Sequence, residues 1–119
     1  MIASAKQKFV RISSRKVKLV IDLIRGKSLE EAFNILRFCR KAAAPPVRKL
    51  IQSAFSNAVS QLGSYDLNTE EITVRTIRVD QGPTYKRWMP RAMGRATPIM
   101  KRTSHISVEL DVPEPENQQ

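Results

Sequence analysis

Residues 72–112 of this 119-residue chain read ITVRTIRVDQGPTYKRWMPRAMGRATPIMKRTSHISVELDV, and they carry the clearest strand pattern in the sequence. At both of its ends, apolar residues alternate with polar ones, which is typical of a strand with one buried face. The alternating residues are Ile72, Val74, Ile77 and Val79 in the first run and Ile106, Val108, Leu110 and Val112 in the second. Because the two pairs of the first run are out of phase by one residue, we expect a β-bulge near Arg75–Thr76.

Between these two strands lies Gly82–Thr103, a connection of 22 residues. Ordinary connections run to about six residues, and one longer than about 15 in a compact domain is either functional or disordered. Built as an extended hairpin, it would place its tip about 35 Å from the sheet at about 3.3 Å per residue, beside a body about 28 Å across. Since like charges interrupt its apolar residues, it cannot form a core of its own. We expect a projecting hairpin with a turn near Pro90–Gly94, and a disordered solvated loop is the alternative.

Three helices are predicted upstream of these strands. The first covers about Ser14–Arg25, where apolar residues recur at i, i+3, i+4 and i+7, and Gly26 suits a left-handed cap after it. The second follows a capping box over Ser28–Glu31. The third covers Pro45–Leu62, with proline in the first turn, and Gly63 ends it.

The resulting fold class is α+β, with three helices packed on a small antiparallel three-stranded sheet and a long protruding β-hairpin. A third, weaker strand is predicted around Phe9, Val10 and Ile12. We expect a single domain over residues 1–112, from which the hairpin 82–103 projects. The Pro-rich acidic tail 113–119 is expected to be disordered.

The charge is strongly positive and unevenly distributed. Lys plus Arg number 21 against 11 Asp plus Glu, a formal net charge of +10, which predicts a polyanionic partner. Two stretches without any acidic residue, Met1–Ile21 and Gln81–Val108, hold six basic residues each. Cys39 is the single cysteine, so an internal disulfide is excluded, and neither a membrane-spanning stretch nor a signal peptide is expected.

Within the hairpin, aromatic residues are interleaved with cations, the pattern found where bases stack on rings and phosphates meet cations. Trp88 could stack on a base or pack across the hairpin, and His105 could be an RNA neighbour or a plain surface residue. An enzyme is disfavoured, because the nucleotide-binding and metalloprotease motifs are absent and no carboxylates cluster near the hairpin. A DNA-kinking protein with proline-tipped β-arms stays open as an alternative.

Beyond these patterns, the chain resembles a known family from about Ile12 to Leu110. The resemblance is carried by SSRKVKLVIDLIRGKSLEEAFNIL, by QSAFSNAVS and by the hairpin signature GP-x-x-KR-x-x-PRA-x-GRA…KRTSHI. These segments are similar to bacterial-type large-subunit ribosomal proteins of the L-twenty-two family (universal uL-twenty-two). The resemblance implies a structural, rRNA-binding constituent of the large subunit, a ribonucleoprotein component in translation. It further implies that the protein supports subunit assembly and that its hairpin passes through 23S-type rRNA and lines the polypeptide exit tunnel.

Charge, ring chemistry and this resemblance together select the residues expected to bind rRNA. They are Arg11, Arg15, Lys16, Lys18, Lys86, Arg87, Trp88, Arg91, Arg95, Lys101, Arg102 and His105. The tip expected to line the tunnel comprises Met89, Pro90, Arg91, Ala92, Met93, Gly94 and Arg95.

The resemblance implies three kinds of partner, namely large-subunit rRNA, neighbouring large-subunit proteins near the tunnel exit and the nascent polypeptide. No membrane, homo-oligomer, cofactor, metal or catalytic residue is expected. The implied location is the cytoplasmic ribosome, with an organellar ribosome left open.

Overall fold

A computed structural model describes residues 2–62, 68–90 and 92–113. Within these ranges the chain forms β1 (Ile2–Val10), α1 (Ser14–Ile24), α2 (Leu29–Phe38), α3 (Ala44–Leu62), β2 (Thr73–Pro90) and β3 (Ala96–Asp111). The strands make one antiparallel sheet in the order β1-β3-β2. The predicted α+β class, with three helices, a three-stranded sheet and a long hairpin, is confirmed.

One hydrophobic core lies between the helices and the sheet. The predicted stripe of α1 is buried, as are the alternating positions of the two strands except Val79, which is half-buried, because both patterns place their apolar side chains on a single face. Its members include Val17, Val20, Ile21, Ile24, Leu36, Leu50, Ile51, Val74, Ile77, Ile106, Val108 and Leu110. The opposite sheet face is lined by polar side chains from all three strands.

The ends of the helices follow the sequence closely. Gly26, after the C-cap of α1, has φ +76°, the left-handed conformation that glycine adopts without strain. The Ser28 hydroxyl accepts the Glu31 backbone N–H at 3.3 Å and so caps α2. The helix α3 starts at Ala44, and the predicted end at Gly63 lies outside the described residues. No helix in the described ranges has both the length and the hydropathy needed to cross a membrane.

The predicted β-bulge in β2 is present, whereas the predicted bounds of the strand β1 were wrong. The β2–β3 register shifts between Val74 and Thr76, which returns the following residues to the buried face. The strand β1 spans Ile2–Val10, so the prediction around Phe9, Val10 and Ile12 caught only its end and placed Ile12 wrongly in the strand. Sequence reasoning missed the earlier residues because the inward-facing ones are small: Ala3 is fully buried and Ala5 is half-buried.

The start of β2 is fastened to the helices by main-chain hydrogen bonds. The turn between α1 and α2 pairs with this edge, since the Gly26 N–H donates to the Val74 carbonyl and the Val74 N–H donates to the Lys27 carbonyl. Farther along, the Arg25 guanidinium donates to the Ile77 carbonyl at 3.0 Å. The first residues of β2, the strand that continues into the hairpin, are therefore held on the body.

The hairpin extends the sheet well beyond the body. The strands β2 and β3 stay paired from Thr73↔Asp111 to Pro90↔Ala96, with a second register shift between Gln81 and Thr84. The molecule measures 78 × 24 × 18 Å and has a radius of gyration of 18.1 Å. A compact chain of this length would have about 14 Å, so the excess is the contribution of the projecting hairpin.

Candidate nucleic-acid interface

The outer part of the hairpin is a two-stranded ribbon without a core. Every described residue from Tyr85 to Pro98 is exposed, and Ile99 is half-buried. Main-chain pairing between β2 and β3 holds this ribbon together, so the alternative of a disordered solvated loop does not describe it. Side chains on both faces are accordingly free to contact a partner.

Each face of the ribbon carries cations and an aromatic ring. Residues opposite each other in the register point to the same face, and successive residues alternate between faces. The pairs Thr84↔Arg102, Lys86↔Met100 and Trp88↔Pro98 therefore share one face. The pairs Tyr85↔Lys101 and Arg87↔Ile99 share the other. Both faces of the ribbon can therefore contact a polyanion.

The tip is a tight turn that is open to solvent. The chain reverses through Ala92–Gly94, where Met93 and Gly94 take left-handed φ values of 65° and 73°. Met93 is 96% exposed, and Arg95 is exposed as well. The turn predicted near Pro90–Gly94 is confirmed by this geometry, while Arg91, named above both as an RNA contact and as a tip residue, lies outside the described residues.

Trp88 is placed so that both of its possible roles remain compatible with the structure. It lies opposite Pro98 in the register, which allows packing across the hairpin. Its side chain is nevertheless 65% exposed, so most of the indole surface stays open for a stacked base.

At the base of the hairpin, two consecutive side chains of β3 bond to the backbone of the other hairpin strand and of the body. The buried Thr103 hydroxyl donates to the Pro83 carbonyl of β2 at 2.6 Å. The buried Ser104 hydroxyl donates to the Ile12 carbonyl, beyond the end of β1. These are the two buried polar residues of the described chain, and their bonds tie β3 to both flanking segments.

His105, the next residue of β3, joins this strand to Phe9 of β1 on the outer face. Its Nδ1 accepts the Phe9 backbone N–H at 3.1 Å, and its ring meets the Phe9 ring edge-on at 5.0 Å. Since Nδ1 accepts, the proton of a neutral imidazole sits on Nε2. Phe9 itself takes φ 60° at an irregularity of β1.

Gly82 makes this close approach possible. A Cβ at this position would lie 2.5 Å from the Thr103 Oγ1 and 3.3 Å from the His105 ring. We call this set of residues the hairpin root, and it comprises Phe9, Ile12, Gly82, Pro83, Thr103, Ser104 and His105. Sequence reasoning assigned none of them a role at this junction, because no periodicity marks buried hydroxyls that bond to irregular backbone. His105 was named only as an RNA neighbour or a plain surface residue.

The predicted cations of the body fall into two groups. Arg11 and Lys16 lie with Lys101 and Arg102 around one groove where the body meets the hairpin. Arg15 and Lys18 are exposed on α1 but do not line that groove. The structure thus places four of the predicted RNA contacts beside one groove, while Lys86, Arg87 and Arg95 are spread along the ribbon.

Known proteins match this chain along nearly its whole length. The family model described as "Ribosomal protein L22p/L17e" matches residues 5–111. A protein of Myxococcus xanthus named "Large ribosomal subunit protein uL22" is 54% identical over 111 residues, covering 92% of this chain and 96% of the relative.

Two further relatives carry that same name. The protein of Thermus thermophilus is 54% identical over 110 residues, which cover 92% of this chain and 95% of the relative. The protein of Pediococcus pentosaceus is 51% identical over 106 residues, which cover 89% of this chain and 87% of the relative. With the match of the family model and these identities, the chain belongs to the ribosomal protein L22p/L17e family.

Proposed function

We propose that the chain, a structural constituent of the large ribosomal subunit, binds 23S-type rRNA with its hairpin and with the start of α1. One observation carries this proposal: the exposed ribbon has cations and an aromatic ring on both faces and no acidic residue along its length. A surface that merely keeps a protein soluble needs neither a projecting ribbon nor rings on each face.

Phosphate neutralisation and stacking have separate parts in this binding. Lysine and arginine displace condensed counterions from phosphates, which supplies affinity and makes it depend on salt. Rings such as Tyr85 and Trp88 stack on unpaired bases and set the register. Because cations lie on both faces, we infer that RNA surrounds the hairpin instead of lying along one side.

For the tip, we propose contact with the polypeptide exit tunnel. The ribbon reaches far from the body and ends in an exposed turn at Ala92–Gly94, a shape that suits a segment passing through RNA to an inner surface. The body would then lie near the tunnel exit beside other large-subunit proteins, and the tip would meet the nascent polypeptide. In this arrangement the hairpin also supports assembly, because it joins RNA segments that flank it.

The relatives agree with a structural role in the bacterial cytoplasmic ribosome. Those described above carry the name of a ribosomal protein and come from bacteria. We propose no catalytic activity.

Affinities for a large-subunit rRNA fragment and for duplex DNA, measured at matched salt, test which nucleic acid the protein binds. We expect tighter binding to the folded RNA, whereas a preference for the duplex would indicate the DNA-kinking alternative and overturn the proposal.

Two neighbouring cations test whether RNA surrounds the ribbon. Lys86→Gln and Arg87→Gln each remove one charge, from opposite faces. We expect each variant to lower the slope of log K against log salt by about 0.7 to 0.9. A loss confined to one of them would show that RNA lies on one face only.

A further inference from the structure

Three of the four methionines of the chain lie in the hairpin, and none of the three is buried. Met89 and Met100 are about half exposed, at 45% and 47%, whereas Met93 is 96% exposed. A methionine side chain is apolar and flexible, and proteins commonly use it to fill gaps in a core. Met93 does the opposite, because almost its whole surface is open to solvent.

The backbone of the tip holds Met93 in this exposed position. Its φ of 65° lies in the left-handed region, which a bulky side chain rarely adopts. The strands on either side stay paired up to Pro90↔Ala96, so the turn that carries Met93 is closed by main-chain pairing. Residues kept in such a strained conformation cluster at functional sites. The exposure of Met93 is therefore a property of the folded hairpin.

RNA binding does not use the chemistry of this side chain. A thioether carries no charge, has no ring and donates no hydrogen bond, so it neither neutralises a phosphate nor stacks on a base. What distinguishes its sulfur is a polarisable lone pair that accepts an oxygen atom from an oxidant.

We propose that Met93 is an oxidation site, at which a hydroperoxide converts the thioether to a methionine sulfoxide. A lone pair of the sulfur attacks one peroxide oxygen, so that an S–O bond forms and the O–O bond breaks. The proton of the transferred oxygen passes to the leaving oxygen, which departs as water or an alcohol. The sulfur loses two electrons and the peroxide gains them. A thiol-dependent methionine sulfoxide reductase reverses the change, since two thiols become a disulfide and the oxygen leaves as water.

The product changes the surface of the tip and leaves the core intact. A sulfoxide is polar, whereas the thioether is apolar, and the exposed Met93 gives up no buried packing when it is oxidised. The consequence for translation rests on the proposed place of the tip in the exit tunnel. There, a nascent polypeptide would meet a polar group in place of an apolar one. A peroxide is small enough to reach that position, whereas a reductase protein is not, so the sulfoxide persists after assembly.

Oxidation of the full chain by hydrogen peroxide tests the site, with the sulfoxide at each methionine followed over time by peptide-resolved mass spectrometry. We expect Met93 to oxidise about twofold faster than Met89 and Met100, in proportion to its exposure, and a methionine sulfoxide reductase to restore it. The same chain unfolded in urea is the control, in which the three rates should become equal. A folded chain without this preference, or a preference that survives unfolding, would overturn the oxidation site and leave the proposed function standing.

Large subunits that contain the protein test the consequence. We expect peroxide to oxidise Met93 in the subunit and the reductase to leave that sulfoxide in place, although it reduces the sulfoxide of the free chain. Reduction in the subunit at the rate of the free chain would overturn the tunnel position of the tip, with the oxidation site standing. Protection of Met93 from peroxide in the subunit would confine oxidation to the free chain and overturn the persistence of the sulfoxide.

Discussion

Replacing Gly82 with alanine tests the packing of the hairpin root. The new Cβ would lie 2.5 Å from the Thr103 Oγ1, whereas real Cβ contacts essentially never fall below 3.0 Å. Either the strands separate by about 0.5 Å or Thr103 rotates away and abandons the Pro83 carbonyl. Leaving this part-buried carbonyl unpaired costs about 1–3 kcal/mol, and the lower chain entropy of unfolded alanine offsets about 0.4–1 kcal/mol of that.

The expected net destabilisation of Gly82→Ala is therefore about 1–2 kcal/mol, a fall in Tm of about 3–8 °C for a domain of this size. Urea and thermal melts followed by circular dichroism measure it. The control is the same substitution in a Thr103→Ala background, where the clashing hydroxyl is gone and we expect no further loss. If Gly82→Ala leaves stability unchanged, or lowers it equally in both backgrounds, the clash with Thr103 is not what constrains this position.

Three further outcomes are expected. Replacing Tyr85–Met100 with an Asn-Gly turn should leave a cooperative thermal melt within a few degrees of the wild type, because none of the described residues in that range is buried; loss of the cooperative melt would show that the hairpin is part of the core. Ser104→Ala should lower the free energy of unfolding by about 1–3 kcal/mol in a urea titration, since it leaves the Ile12 carbonyl without its buried donor; an unchanged midpoint would contradict this. A side-chain hydrogen bond to Glu70, and then the negative charge of Glu70, raise the pKa of the Glu30 carboxyl. The folded state therefore binds the proton more tightly than the unfolded state, and stability is lost as the pH rises through the carboxylate range. Glu70→Gln should accordingly raise Tm at pH 7 and leave it unchanged at pH 3, and an equal effect at both pH values would refute the assignment.

Local patterns predicted much of this fold because they reflect burial on one face. The phase slip between Val74 and Ile77 required an extra residue if both were to be buried, and the register shift at that point supplies it. The stripe of α1 and the cap at Ser28 are equally local, since each depends on residues within one or two turns.

The strand β1 was largely missed for a physical reason. Its buried positions include Ala3, whose side chain is too small to give a strong alternating signal, and its outward positions include Lys6 and Lys8. Asn57 of α3 donates to the Ser4 carbonyl on its free edge, a contact that joins segments far apart in the chain. No window of sequence contains such a partner.

The basic character of the candidate interface could be predicted from the sequence, but the spatial arrangement of its side chains could not. A cation-rich stretch without acids can be read directly from residues 81–108. That Arg11 and Lys16 meet Lys101 and Arg102 around one groove follows from how β1, α1 and β3 pack together. Likewise, Thr103 and Ser104 are ordinary polar residues in sequence, and only the fold shows that their hydroxyls bond to backbone beside two strand irregularities.

The most direct test compares the full chain with the hairpin-shortened variant for binding to large-subunit rRNA over a range of salt concentrations. We expect the shortened protein, still folded, to bind far more weakly and to lose several units of salt slope, one for each phosphate contact removed. Equal affinity and equal slope for the two proteins would show that the hairpin is not the element that binds RNA.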